Sequence, residues 1–327
     1  MESRPLGRTG LEVSAVGFGA WGIAGEMWRG ATEAEGRAAL HAALDAGVTF
    51  IDTALIYGRG ASERLIGDVL RERGGPTAAV VATKIAPADE RWPPDPHAPL
   101  AAAFTPDHVE RSVRASLAHL GTAALDLVQL HVWLDRWLDD PAWPALRAAM
   151  ERLTAAGLVR HWGVSANDHA PDDALRVLDE PLVESVQVIH NVFDRSAEPR
   201  LLPLAAARRA GVIARCPFDE GALTGAIRAD STFAPGDFRA RYFQGDRAAQ
   251  AAAHADALRP LLGAEAATLA ELALRFCLSH PAVSTVIPGA RRPAHAAANA
   301  AVADGRPLSP ALLARLAPHA WDKNWYE

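Results

Sequence analysis

The feature that most constrains this chain is a sustained alternation. From about Val16 onward, short apolar, β-branched runs alternate with longer segments of helical period. The runs are Val16–Gly19, Phe50–Asp52, Val80–Thr83, Leu127–Leu130, Val159–Ser165, Val186–Ile189, Val212–Cys216 and Ser284–Ile287. Such runs, bounded by turn residues, read as buried strands. Strands joined through helices run parallel. Eight such units favour an α/β fold closed into a (β/α)8, or TIM, barrel; alternation alone leaves an open doubly wound sheet as the other solution.

Helix boundaries are marked locally. Thr32 with Glu35 three residues on is a capping box, and Gly47 stops that helix. Thr105 caps a helix with Pro106 at its first position; Val109, Val113, Leu117 and Leu120 recur at helical spacing, and Gly121 ends it. Further helices are predicted from Ser62 and over Ala142–Ala156, Asp172–Leu178, Pro199–Ala210, Thr268–Ser279 and Pro293–Ala303. Upstream, Gly7-Arg8-Thr9-Gly10 reads as the turn of an N-terminal β-hairpin over Arg4–Ser14 that would plug a barrel floor. The stretches Pro87–Phe104 and Asp219–Asp246 are long and irregular, as lids, ligand clamps or mobile segments are. A length of 327 residues suits one barrel with insertions, so 1–327 reads as a single domain.

The bulk numbers exclude several classes. A net charge of −6 with no Lys/Arg tract argues against a nucleic-acid groove. No apolar run approaches the ~18 residues of a membrane span. Two isolated thiols, Cys216 and Cys277, fit a reduced compartment, and Met1–Gly10 has no apolar signal core. The chain reads as cytoplasmic, with neither nucleic acid nor membrane as partner. A metal hydrolase would need clustered ligands such as H-x-H at a strand end; His131 is followed by Val132 and Trp133, and no metal site is expected.

Polar residues at the C-terminal ends of successive barrel strands form the usual active site. Asp52, Lys84 and His131 each close an apolar run, and Tyr57 follows Asp52 by one short loop. Asp, Lys and His at strand ends also occur as plain structural ion pairs; the four together point to chemistry. A lysine ammonium beside a phenol favours the phenolate and makes it more acidic, and a carboxylate holds the lysine charged. Tyr57 would then be the general acid for a carbonyl oxygen, Lys84 and Asp52 would tune it, and His131 would orient the carbonyl.

The motifs Asp52-Thr53-Ala54-Leu55-Ile56-Tyr57-Gly58, Ser62-Glu63, Ala82-Thr83-Lys84 and Asp126-Leu127-Val128-Gln129-Leu130-His131 resemble those of the aldo-keto reductase family. The likeness runs from Leu6-Gly7-Arg8-Thr9-Gly10-Leu11 to Val286-Ile287-Pro288-Gly289. It implies NADPH-dependent reduction of an aldehyde or ketone, a small-molecule carbonyl substrate. Some members of the fold are slow-turnover regulatory subunits that bind nicotinamide cofactor, which is the other reading.

The cofactor site follows from that resemblance. Gly17-Phe18-Gly19-Ala20-Trp21-Gly22 satisfies G-x-G-x-x-G, but the next strand ends at Asp52, too late for a dinucleotide fingerprint. Instead Gly19, Ala20 and Trp21 would line the nicotinamide end, Trp21 being equally a core residue. Ser165, Asn167 and Gln187 would hold the carboxamide, and His190 stands where a ring-stacking tyrosine is common. Cys216, with backbone groups of Phe218, Gly221 and Leu223, would form a pyrophosphate strap. Gly289 and Arg291 would bind the 2′-phosphate of NADP at a helix start, with Arg292 in reserve, and Asn299 the adenine. Trp28 and Trp133 would wall the substrate pocket, and the C-terminal substrate loop, Trp321 to Tyr326, would fold over it. No arginine is obviously placed for an acidic substrate.

Overall fold

The structure is a computed structural model that describes residues 1–25, 27–30, 32–91 and 95–326. Of the expected loop over 87–104, Trp92, Pro93 and Pro94 lie outside the described residues.

Two short strands, β1 (Ser3–Pro5) and β2 (Glu12–Ser14), form the antiparallel hairpin. Eight parallel strands follow: β3 (Phe18–Gly19), β4 (Phe50–Asp52), β5 (Val80–Ile85), β6 (Leu125–Trp133), β7 (Val159–Ala166), β8 (Val183–Ile189), β9 (Gly211–Arg215) and β10 (Val283–Val286). They pair in chain order. Parallel bridges from Val16 to Val286 and from Gly19 to Gly289 bring the first strand back to the last. A Cβ on Gly19 would lie 2.7 Å from the Ile287 carbonyl oxygen, so this closure needs glycine there.

The helices are α1 (Glu33–Asp45), α2 (Ala61–Glu72), α3 (Leu100–Ala103), α4 (Pro106–Leu120), α5 (Trp143–Ala155), α6 (Leu201–Arg208), α7 (Phe238–Tyr242), α8 (Arg247–Ala257), α9 (Leu269–Ser279), α10 (Pro293–Ala301) and α11 (Pro310–Leu316). Thr32 and Glu35 make the reciprocal capping box, and Thr105 caps α4. Gly121 ends α4 at φ 64°, a left-handed conformation that favours glycine.

One expected helix is absent. Asp172–Leu178 forms two 3-10 turns, Pro171–Ala174 and Arg176–Asp179. The Asp135 carboxylate accepts the backbone N–H groups of Arg176 and Val177, which removes them as donors to a helical ladder.

The core has two layers. One, between sheet and helices, includes Leu40, Ile51, Val113, Val128, Trp162 and Phe276. The other fills the barrel interior with Phe50, Ala82, Leu127, Ile213 and Ile287, and the hairpin contributes Leu6 and Val13 from below. The hairpin therefore plugs the floor, as its position in the sequence suggested.

Candidate active site

Strand alternation builds the site from that inner layer. Side chains two residues apart share a face. Two positions beyond inward Phe50, Ala82 and Leu127 stand Asp52, Lys84 and Gln129, and His131 follows Gln129 by two more. All four are buried. Lys84 Nζ donates to Asp52 Oδ1 and, at 2.8 Å, to the Thr53 carbonyl oxygen. Asp52 Oδ2 accepts from Gln187 Nε2 at 2.7 Å and from Gln129 Nε2 at 3.4 Å. Tyr57 arrives on the loop between β4 and α2, with its hydroxyl 3.5 Å from Lys84 Nζ. Its ring meets His131 edge-on at 6.5 Å and stacks on Trp21 at 6.1 Å. The four residues singled out from the sequence are thus one cluster at the C-terminal mouth.

The electrostatics reverse one expectation. Burial, with the Asp52 charge behind it, holds the Tyr57 hydroxyl well above the usual phenol range. Burial also lowers the Lys84 ammonium, against the pull of Asp52. The phenol is therefore a protonated donor at neutral pH, not one already made acidic by its lysine. The reason is that desolvation penalises the phenolate, while Lys84 makes its closest contacts with Asp52 and Thr53. Burial, then Lys84, then Arg215 push the His131 imidazole well below its usual value, so His131 is neutral.

Arg215 is the residue that the sequence reading missed. It ends β9 two positions beyond inward Ile213, which aims it at the mouth. Its Nη2 pairs with Asp168 Oδ1 at 2.5 Å and donates to the Ala166 carbonyl oxygen at 3.3 Å. Its Nε is buried with no partner among the described residues. The charge reaches Tyr57, Lys84 and His131 and favours the neutral imidazole.

A parallel barrel with Asp, Tyr, Lys and His converging at this end can be compared with known proteins. A model of the aldo/keto reductase family matches residues 15–320. The chain belongs to that family. The aldo-keto reductase YhdN of Bacillus subtilis (strain 168) is 32% identical over 298 residues, covering 90% of this chain and 86% of the relative. The NADH-specific methylglyoxal reductase of Escherichia coli (strain K12) is 28% identical over 315 residues, covering 92% and 93%. The solved holo structure of aldo-keto reductase AKR11C1 from Bacillus halodurans superposes with a TM-score of 0.75 at 27% identity, covering all of both chains.

Aldo-keto reductases use nicotinamide cofactors, and the residues expected to hold one divide into two groups in this chain. At the nicotinamide end, Ser165 Oγ is buried with no partner among the described residues, a polar atom that a carboxamide would satisfy. Asn167 is half-buried beyond it, its Oδ1 accepting from the Asp168 backbone N–H. Ala20 is fixed by its N–H to the Asp52 carbonyl oxygen at 2.9 Å. Gln187 differs from expectation, since its amide donates to Asp52. His190 differs more. It lies three residues beyond inward Gln187 and so faces outward, fully buried against Phe276 at 5.2 Å and His280 at 5.8 Å. It is a core histidine, not a stacking ring at the mouth.

At the phosphate end the groups bond to one another. The N–H groups of Gly221 and Leu223 donate to the Phe218 carbonyl oxygen at 2.9 and 3.0 Å, where the sequence suggested phosphate contacts. Cys216 Sγ lies 3.4 Å from Glu220 Oε1, and burial pushes its thiol up, so it is no thiolate nucleophile. Arg291 follows Gly289 at the start of α10, as expected, but donates to the Arg29 carbonyl oxygen at 2.6 Å and lies over the Trp28 ring at 5.6 Å. Asn299 is half-buried on α10. At the nicotinamide end the unpartnered Ser165 hydroxyl suits a carboxamide, while Gln187 and His190 are engaged elsewhere; at the phosphate end the residue types suit a phosphate, with their donors turned inward.

The expected substrate walls also separate. Trp28 meets Trp21 at 5.5 Å, and Trp21 meets Phe238 at 5.0 Å, at the mouth. Trp133 has no exposed surface and packs on Trp137 and Trp143, its Nε1 donating to Asp135 at 3.0 Å. The strand register shifts between His131 and Trp133, which turns the ring into the outer core. The C-terminal tail, expected over the substrate pocket, packs on the segment after β9. Tyr326 donates to Glu220 Oε1 at 2.6 Å, Lys323 pairs with Asp219 at 2.8 Å, and Trp321 stacks on His254 at 3.8 Å. Among the described residues no group of three His, Cys, Asp or Glu side chains is placed to hold a metal, and no helix is long and apolar enough to cross a membrane.

Proposed function

We propose that this aldo-keto reductase reduces an aldehyde or ketone to the alcohol, with NADPH as hydride source and Tyr57 as general acid. The observation that carries the reading is a phenol held protonated, 3.5 Å from a lysine that is itself fixed by a buried carboxylate. The bound cofactor supplies the hydride to the carbonyl carbon. Tyr57 gives its proton to the carbonyl oxygen and becomes phenolate. Lys84 stabilises that developing charge, and Asp52 keeps Lys84 in place. His131, being neutral, retains a lone pair and one N–H, and the N–H can donate to the same oxygen without carrying charge into the site. The cofactor would be held by Ser165 and Asn167 at its carboxamide and by Arg291, with Arg292, at its 2′-phosphate. NADPH over NADH rests on those arginines, and the NADH-specific relative from E. coli is the reason to test it. Trp21, Trp28 and Phe238 make the mouth aromatic, which suits an apolar or aromatic carbonyl. The compartment we assign is the cytoplasm, from the two unpaired thiols.

The test is consumption of NADPH and of NADH, side by side, against a panel of aldehydes that includes 4-nitrobenzaldehyde and methylglyoxal. Turnover with NADPH supports the proposal. Tight NADPH binding without turnover of any carbonyl would make the chain a cofactor-binding regulatory subunit instead.

A further inference from the structure

Ser62 and Glu63 belong to the sequence motif around Tyr57; the Ser62 backbone N–H donates to the Tyr57 carbonyl oxygen at 3.3 Å, and neither side chain bonds to the side chains of the catalytic cluster. Glu63 sits in the first turn of α2 with no exposed surface. A buried carboxylate needs compensation for lost hydration. Here Thr83 donates to Oε1 at 2.6 Å, and His119 Nδ1 lies 3.0 Å from Oε2. His119 Nε2 lies 3.2 Å from Arg64 Nη1. An arginine has only donors to offer, so Nε2 accepts and the proton of a neutral His119 is on Nδ1, facing Glu63. The relay runs from Arg64 through His119 to Glu63.

Each partner in this relay is tied to the catalytic loop. Thr83 is the outward neighbour of inward Lys84 on β5. Ser62 shares a hydrogen bond with Thr53, the neighbour of Asp52, at 2.8 Å, and donates to the Ala20 carbonyl oxygen at 3.2 Å. Arg64 donates through both Nη atoms to the Arg59 carbonyl oxygen at 3.3 Å. Between Tyr57 and α2, three successive residues have positive φ: Gly58 at 59°, Arg59 at 50° and Gly60 at 83°. Arg59 is a non-glycine in that region and needs its surroundings to hold it there. The His119 ring packs on Gly60 so closely that a Cβ there would collide with it.

We propose that Glu63, with Thr83 and His119, is a positioning residue for Tyr57. It clamps the loop over 53–62 to β5, the strand that presents Lys84, and to α4, and so sets the approach of the phenol to the ammonium. The role rests on Tyr57 being the acid. It acts from outside the barrel wall and touches neither substrate nor cofactor.

The test uses the full chain and four variants: Glu63→Gln, Thr83→Val, His119→Ala and His119→Asn. His119 is half-exposed, so its variants carry the test if Glu63→Gln does not fold. In Glu63→Gln only one oxygen remains to accept, so if His119 keeps its bond Thr83 must turn its hydroxyl from donor to acceptor, and both bonds lose the carboxylate charge that strengthens them. In His119→Asn the new side-chain amide can replace the Nδ1–H donor. For Glu63→Gln and His119→Ala we expect kcat with 4-nitrobenzaldehyde to fall about tenfold, with KM and NADPH Kd within about twofold, as displacement of a catalytic group demands. Thr83→Val should show a smaller fall in kcat. Amide hydrogen exchange over 53–62 should quicken in step with kcat loss, and His119→Asn should recover most of both. Unchanged kcat in Glu63→Gln and His119→Ala overturns the proposal. So does a fall in kcat with exchange over 53–62 unchanged, or an Asn variant no better than Ala. A wild-type chain inactive on every carbonyl would sink the carbonyl-reduction reading instead, and the exchange measurement would still decide whether the clamp holds the loop.

Discussion

The floor and the mouth of this barrel are built from the same strands, two residues apart, and obey opposite rules. At the floor, Phe50, Ala82, Leu127 and Ile213 meet Leu6 and Val13 of the hairpin in an apolar, fully buried layer. At the mouth, Asp52, Lys84 and Gln129 continue those strands as charges and an amide, also buried, and Arg215 joins them partly buried. Positive φ values at non-glycine residues cluster there too, at Arg59, His169, Cys216, Asp219 and Glu220. The difference teaches where stability and chemistry are stored. The floor stabilises through apolar area, and the mouth keeps ions buried that only their mutual pairing makes tolerable.

That division is best broken by substituting one residue on each side. Tyr57→Phe should lower turnover by about 10²- to 10⁴-fold while leaving the melting temperature and NADPH affinity close to wild type; a variant with most of its activity would remove Tyr57 as the acid. Leu127→Ala should do the converse, costing about 2–5 kcal/mol in urea unfolding with kcat nearly unchanged in what remains folded. Arg291→Ala sharpens the mouth further. It should weaken NADPH about tenfold or more and NADH little, read by titration of each cofactor; equal losses would move the phosphate contact elsewhere.

The pH dependence divides in the same way. Because burial raises the Tyr57 phenol, carbonyl reduction should stay flat through neutral pH and fall only in the alkaline range, while alcohol oxidation, which needs phenolate, should rise with pH. A reduction rate that falls already near neutrality would contradict the raised phenol. The smallest effect belongs to the outer core. Burial holds His190 down to about 3 from its ordinary 6.5, with neither ring nitrogen bonded among the described residues. Its stabilising contribution is full above the unfolded value and is lost as pH falls from there toward the folded one. His190→Phe should therefore flatten the loss of melting temperature between about pH 7 and pH 4, with little change at neutral pH.

Much of this was legible in the sequence. Thr32 with Glu35, and Thr105 with Pro106, mark helix starts because caps act within one turn. Asp52, Lys84 and His131 were legible because they close apolar runs and the barrel presents strand ends on one side. Arg215 was legible in principle, two positions from an inward isoleucine, but it was read only as part of a strand run, next to the strap that begins at Cys216. His190 was misplaced because it was assigned by resemblance and not by parity, since three positions from Gln187 is the other face. Trp133 obeys parity with His131 on paper, and only the register shift between them turns it away.

Local chemistry therefore determined the strands, the caps, the hairpin and the four polar residues of the candidate site, because periodicity, capping and turn preference act within a few residues. The tertiary structure decided the rest. Which partner each buried charge takes, whether the phenol is acid or inert at rest, and which way His190 and Trp133 point depend on groups distant in sequence, such as Gln187 at Asp52 and Asp168 at Arg215. Desolvation and pairing are properties of an enclosed volume, and that volume exists only once the barrel has closed.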